Sequence, residues 1–105
     1  MFARLWCGRA AANNAPDYAQ HVSETVFPSL LKMRGYRGAQ LLRRAVDERV
    51  EFCAVTFWSS LDDIRQFAGA NIDVAKIEPR AAELLADYDP FARHFEVVHT
   101  AAGPA

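Results

Sequence analysis

The segment from Arg49 to Trp58 (Arg-Val-Glu-Phe-Cys-Ala-Val-Thr-Phe-Trp) narrows the possible folds more than any other. It is rich in β-branched and aromatic residues and reads as a strand. In an extended chain successive side chains point to opposite faces. Val50, Phe52, Ala54, Thr56 and Trp58 therefore face one way, and Glu51, Cys53, Val55 and Phe57 the other. Apart from Glu51 and Thr56, both sets are apolar. A sheet with one wet face shows a clean alternation instead, so this strand is expected to be central and covered on both sides.

The flanking sequence supplies the other elements. Phe2 to Gly8 reads as a first strand. Asn14, Pro16 and Asp17 form a helix start, and Tyr18, Val22, Val26 and Leu30 recur every four residues on one helix face. Pro28 lies inside that pattern and predicts a kink, and Gly35 terminates the helix. Ala39 to Val46 is a second strand, joined to the third through Asp47-Glu48 as a hairpin. Ser59 and Ser60, each with an aspartate three residues later, match a capping box ahead of a helix whose buried stripe is Leu61, Ile64, Phe67 and Ala68. Gly69 ends that helix, Asn71 to Lys76 connects, and Pro79 opens another short helix broken at Asp87-Tyr88-Asp89-Pro90. Phe91 to Thr100 is expected as the last strand, and 101–105 as a frayed tail to a single domain spanning 1–100.

The order strand, helix, strand, strand, helix, strand predicts an α+β, ferredoxin-like (β-α-β-β-α-β) four-stranded antiparallel sheet with helices on one face. The expected strand order is 4-1-3-2. Two helices cover one face only. The other presents a few hundred Å² of apolar surface, about the limit for a monomer. At about 25 cal/mol/Å², roughly 400 Å² is worth up to about 10 kcal/mol before association costs. A second copy packed sheet to sheet, in a symmetric homodimer, is the expected cover.

Composition excludes several classes. With 105 residues there is room for one domain, and a net charge of −1 argues against nucleic acid as a partner. The basic residues Lys32, Arg34, Arg37, Arg43, Arg44 and Arg49 surround an edge strand, where charge blocks edge-to-edge association. No apolar run is long enough to span a bilayer, and the N-terminus lacks the pattern of a secretory signal, so no membrane association is expected. Cys7 and Cys53 are the only cysteines. They are expected to be reduced, small buried apolar groups in a cytoplasmic protein. No histidine–carboxylate cluster has ligand spacing, and no metal is expected.

The pattern resembles the dimeric α+β barrel superfamily, and within it the antibiotic biosynthesis monooxygenase-like proteins, over about residues 2–100. The strongest match is Ala54-Val55-Thr56-Phe57-Trp58-Ser59-Ser60-Leu61, continuing through Ile64 and Phe67-Ala68-Gly69. Gly35-Tyr36-Arg37-Gly38 and His94-Phe95-Glu96-Val97 support it. The resemblance implies a pocket between sheet and helices that takes a small apolar or aromatic ligand, with Trp58 in its wall. It also implies oxygenase chemistry on phenolic or quinol-type substrates without a bound cofactor. Such chemistry needs an apolar cavity, a base that titrates near neutrality and donors for a developing oxyanion. His94 or His21 is the expected proton acceptor. Phe67 and Tyr88 are expected as walls with Trp58, Tyr18 as a hydroxyl donor, and Arg4 as an oxyanion donor or, alternatively, one half of an ion pair with Glu51 or Glu96. His99, an odd step from His94, is expected at the surface. The alternative is a non-catalytic barrel that binds a small apolar ligand or serves as a stress-associated assembly module. The haem-degrading branch of the superfamily uses a histidine on the second helical segment and an asparagine on strand one. Residues 60–88 contain no histidine and strand one no asparagine, so haem degradation is not expected.

Overall fold

The structure is a computed structural model and describes residues 1–104. Its elements are β1 (Phe2–Ala11), a 3₁₀ turn (Ala12–Asn14), α1 (Ala15–His21), a π-helical turn (Val22–Val26), α2 (Phe27–Ser29), β2 (Tyr36–Val46), β3 (Arg49–Trp58), α3 (Leu61–Ala68), α4 (Pro79–Leu84), β4 (Asp87–Tyr88) and β5 (Arg93–Glu96). The sheet runs β2-β3-β1, and β4 and β5 both pair with β1 on its other side. All pairings are antiparallel. This is the expected order with β1 and β3 central. No helix is long and apolar enough to cross a membrane among the described residues.

Three departures from the sequence reading have local causes. The expected last strand, Phe91 to Thr100, is shorter, and its edge position is shared with β4. Pro90 has no N–H for a ladder and separates the two pieces. The kink expected at Pro28 is a π turn just before it, with the Phe27 N–H bonded to the Val22 carbonyl. Proline removes a donor and crowds the preceding turn, and widening that turn keeps the helical path continuous. The third departure is covalent. Cys7 and Cys53 are not reduced thiols but a disulfide, because β1 and β3 pair in the register that sets them directly opposite, with Cα atoms 4.1 Å apart. The bonded pair removes the reduced-thiol argument on which the cytoplasmic expectation rested.

The alternation in β3 resolves as expected. Phe52, Thr56 and Trp58 are buried beneath the helices. Val55 and Phe57 lie on the open face and are only half-buried. The core has two parts. One joins Ala10 and Phe52 to Tyr18, Val22, Ala81, Leu84 and Leu85, with Tyr18 and Phe52 packed ring to ring at 5.0 Å. The other joins Leu30, Trp58 and Ile64. Ser60 caps α3 by accepting from the Asp63 N–H, as the capping box predicts.

Candidate functional site

Between the two parts of the core lies a cavity of about 60 Å³. Its floor is the helix-facing side of the sheet, with Arg4, Trp6, Ala54 and Thr56. Tyr18, Val22, Val26, Phe27 and Leu30 come from the first helical layer, Phe67 from α3, and Lys76, Ile77, Glu78 and Ala81 from the segment entering α4. The volume holds a few water molecules and is smaller than the roughly 300–1,000 Å³ of a drug-sized ligand pocket. A ligand of one or two rings would need the helical layer to move outward.

Arg4 dominates the chemistry of this lining. It alternates with Leu5 so as to face the helices, and its residue surface is 4% exposed. Neither Glu51 nor Glu96 pairs with it, contrary to the ion pair considered from the sequence. Nη1 donates to the Ile72 carbonyl and to His94 Nε2 at 2.9 Å, and Nη2 donates to the Val74 carbonyl at 3.3 Å. The side chain thus pins the 71–76 connector to the sheet. Burial pulls the guanidinium pKa down to about 10, against a smaller opposing pull from Asp73. At neutral pH it is still a cation. Its face lies 5.7 Å from the centre of the Phe67 ring, and Lys76 Nζ lies 5.1 Å from the same centre. Glu51 is taken instead by Arg9 and Arg44 on the open face.

His94 sits opposite Arg4 in the β1–β5 register. Arginine only donates, so Nε2 accepts, which leaves the ring proton on Nδ1 facing Asp73 Oδ1 at 3.3 Å. Burial, then the Arg4 charge, holds its pKa below the usual histidine value, with Asp73 opposing. His94 is therefore a neutral imidazole behind Arg4 and is not part of the lining. His21 is mostly buried on α1. Its Nε2 lies 3.7 Å from Glu78 Oε2, too far for a hydrogen bond, and has no hydrogen-bond partner among the described residues. Glu78, which sequence reasoning missed, joins His21 to the cavity. Tyr18 does line the cavity, and burial followed by the Glu78 charge pushes its pKa up to about 12.

The remaining expected walls divide. Phe67 lines the cavity. Trp58 is completely buried in the neighbouring core, with Nε1 donating to Thr56 Oγ1 at 2.8 Å, and supports the floor from beside it. Tyr88 is 42% exposed on the sheet edge, with its ring 5.9 Å from Trp6, so it shields the Trp6 side without entering the lining. Trp6 is the indole that reaches the cavity, its Nε1 held by the Asp89 carbonyl at 2.7 Å. The alternation of β1 carried this information: Arg4, Trp6 and Ala10 share one face. His99 is exposed beyond β5, as expected.

These elements and this strand order define a ferredoxin-like α+β protein with the fold of the antibiotic biosynthesis monooxygenase-like proteins. The haem degrader MhuD of Mycobacterium tuberculosis, solved with two haems in its active site, is 20% identical, with 97% of this chain and 100% of that chain covered at a TM-score of 0.69. A variant of MhuD with two manganese protoporphyrin IX molecules per active site is likewise 20% identical over 98% and 100% of the two chains, TM-score 0.70. A protein of Bacillus cereus assigned as an antibiotic biosynthesis monooxygenase is 13% identical over 100% and 98%, TM-score 0.68. No protein-family model and no curated protein matches the sequence.

Two of these neighbours carry porphyrins, which makes haem a group to test against the lining. Haem iron is held by imidazole, thiolate, thioether or phenolate groups. The cavity lining contains no histidine, cysteine or methionine, and its one phenol is held in the protonated form. His94 is occupied by Arg4 and Asp73, and His21 is not in the lining. The residues present do not fit an axially ligated haem.

Proposed function

We propose that the chain is a cofactor-independent monooxygenase that takes a small aromatic or quinol-type substrate into the cavity between sheet and helices, and that it works as a homodimer closed through the open sheet face. The observation that carries the reading is a buried guanidinium set into a largely apolar, aromatic cavity. A low-dielectric site with a fixed cation stabilises negative charge that develops on a substrate oxygen. Deprotonation then yields a phenolate or carbanion able to pass an electron to dioxygen. At a methylene flanked by aromatic rings the balance is R₂CH₂ + O₂ → R₂C=O + H₂O: one oxygen atom enters the substrate, and the other leaves as water with the two hydrogens. In this scheme Glu78 takes the proton at the cavity, and His21, whose Nε2 lies 3.7 Å from Glu78 Oε2, receives it once the two close to hydrogen-bond distance. Arg4 holds the oxyanion, with His94 steadying Arg4 from behind. Trp6, Tyr18 and Phe67 pack the ring, and Trp58 and Tyr88 support the walls.

A second reading, a ligand-binding module without catalysis, is favoured by the small cavity and by the absence of an imidazole from its lining. An oxygen electrode separates the two. Quinols and anthrones are expected to drive protein-dependent oxygen uptake; saturable binding with no uptake at any pH assigns the chain to the second reading.

A further inference from the structure

We propose that the substrate enters as an aromatic anion, a ring bearing a carboxylate or an acidic hydroxyl, and that the free edge of the Arg4 guanidinium is its binding site. The inference rests on the reading of the cavity as a substrate site and adds the chemical class of what fills it.

The argument begins with a donor count. Arginine carries five N–H groups in a planar fork. Three are used, two on Nη1 by the Ile72 carbonyl and His94, and one on Nη2 by the Val74 carbonyl. Nε–H and the second Nη2–H have no acceptor among the described residues. These two nitrogens carry the side-by-side donors that match the two oxygens of a carboxylate, or one phenolate oxygen between them. The partners already present are neutral: two carbonyls and an imidazole held uncharged. Among the described residues no carboxylate is bonded to the group. Asp73, the nearest acid by its influence, bonds to His94 and has its side chain 73% exposed. A buried cation surrounded by neutral acceptors is satisfied in hydrogen bonds on one edge but not in charge.

The rest of the cavity agrees. Lys76 adds a second cation beside the same Phe67 ring. The single acid in the lining, Glu78, lies on the side of Tyr18, whose hydroxyl feels its charge. Tyr18 packs on Phe52, which pairs with Gly8, four residues along β1 from Arg4, or about 13 Å. The lining thus carries two cations, Arg4 and Lys76, against one acid, Glu78, among aromatic and aliphatic walls. An aromatic acid fits this lining with its anionic group at Arg4 and its ring against Phe67 and Phe27.

4-Nitrophenol tests this directly, because its anion absorbs visible light and reports its own ionisation. Titrated with the intact protein between pH 5 and 9, the bound probe is expected to ionise at lower pH than the free probe, with the anion bound about tenfold more tightly than the neutral phenol. Benzoate is expected to compete and benzamide, its neutral counterpart, to compete at least tenfold more weakly. Binding of benzoate, read directly by calorimetry, without binding of 4-nitrophenolate assigns a carboxylate substrate; the reverse assigns an acidic hydroxyl. Arg4→Met, with its fold checked by circular dichroism, is expected to lose the preference for the anion. Arg4→Lys keeps the charge without the fork and is expected to weaken benzoate. The inference is overturned if the neutral forms bind as well as the anions, if Arg4→Met keeps the preference, or if neither anion binds at millimolar concentration. Oxygen uptake on neutral quinols without any anion preference would overturn this inference and leave the monooxygenase reading standing. Anion preference without uptake would do the opposite.

Discussion

At the scale of single residues, Arg4, His94 and Asp73 form a chain in which each group sets the state of the next. Burial, and then the guanidinium charge at Nε2, keeps the imidazole neutral, and Asp73 orients the Nδ1–H. The pKa of His94 is depressed in the fold, so the unfolded chain binds a proton more readily. Below the free-histidine value of about 6.5 the unfolded state takes up that proton while the folded state resists it. Stability therefore falls as pH drops from about 6.5 toward the lower folded value and stops changing from this source below it. Asp63 and Glu51, whose pKa values are lowered by Arg34 and by Arg44 with Arg9, lose their contribution only at more acid pH. Urea midpoints measured from pH 7.5 to 5 are expected to decline in the wild type. His94→Gln retains an acceptor for Arg4 and removes the titration, so its midpoints are expected to be flatter over the same range. An equal slope in both would remove His94 from this role.

At the scale of elements, strand order, the capped α3 and the hairpin were readable because each leaves a local signature: alternation, a serine cap, an acidic pair at a turn. The split edge strand and the π turn were harder, since proline announces an interruption but not how the backbone accommodates it. The candidate site was readable only in part. Arg4 and Phe67 lie on patterned faces that point to the cavity, but the acceptors of Arg4 are backbone carbonyls of a connector, and carbonyls carry no sequence signal. The Cys7–Cys53 bond depends on the β1–β3 register, which two strands distant in sequence do not disclose. Two glycines, each expected to end a helix, differ in place: Gly69 caps α3, but the helix before Gly35 already ends at Ser29, and Gly35 lies in the turn leading to β2. Gly35 and Gly69 both have positive φ, 78° and 88°. A Cβ at Gly69 meets nothing within 4 Å, whereas at Gly35 it would lie 2.0 Å from Asp63 Oδ2 and 2.8 Å from Asp63 Cβ. Asp63 is buried and accepts from Arg34 Nε at 2.9 Å and cannot simply swing aside. Gly69→Ala is expected to cost about 1–3 kcal/mol from backbone strain alone. Gly35→Ala adds displacement of the Asp63–Arg34 pair and is expected to cost about 3 kcal/mol or more. Chemical denaturation of the two variants checks the ranking, and equal losses would show that Asp63 yields freely.

At the scale of the whole molecule, the helices leave one face of the sheet uncovered, and its composition argues for what covers it. Leu5, Val55 and Phe57 are half-buried at its centre beside the Cys7–Cys53 bond, and Leu42 and Phe95 are 50% and 48% exposed around them. Arg9 lies toward one end, bonded to Glu51, Asp87 and Asp89, and Arg44 also reaches Glu51. An apolar centre bordered by paired charges is the anatomy of an interface core and rim. The disulfide ties β1 to β3 across this face, so the dimer contact proposed here would form on a fixed surface. The position that separates association from folding is Val55. It lies on the open side of a central strand, paired with Leu5 and Gln40, and is remote from the buried Phe52 and Trp58 contacts. A carboxylate placed there meets its own symmetry mate or an apolar partner, and either is costly once water is excluded. In a single subunit it meets solvent instead. Sedimentation equilibrium is expected to give twice the 11.7 kDa chain mass for the wild type at micromolar concentration. Val55→Asp is expected to give the single-chain mass with an unchanged circular dichroism spectrum. A wild type that sediments as a single chain, or a variant that remains dimeric, would place the contact between copies elsewhere or remove it.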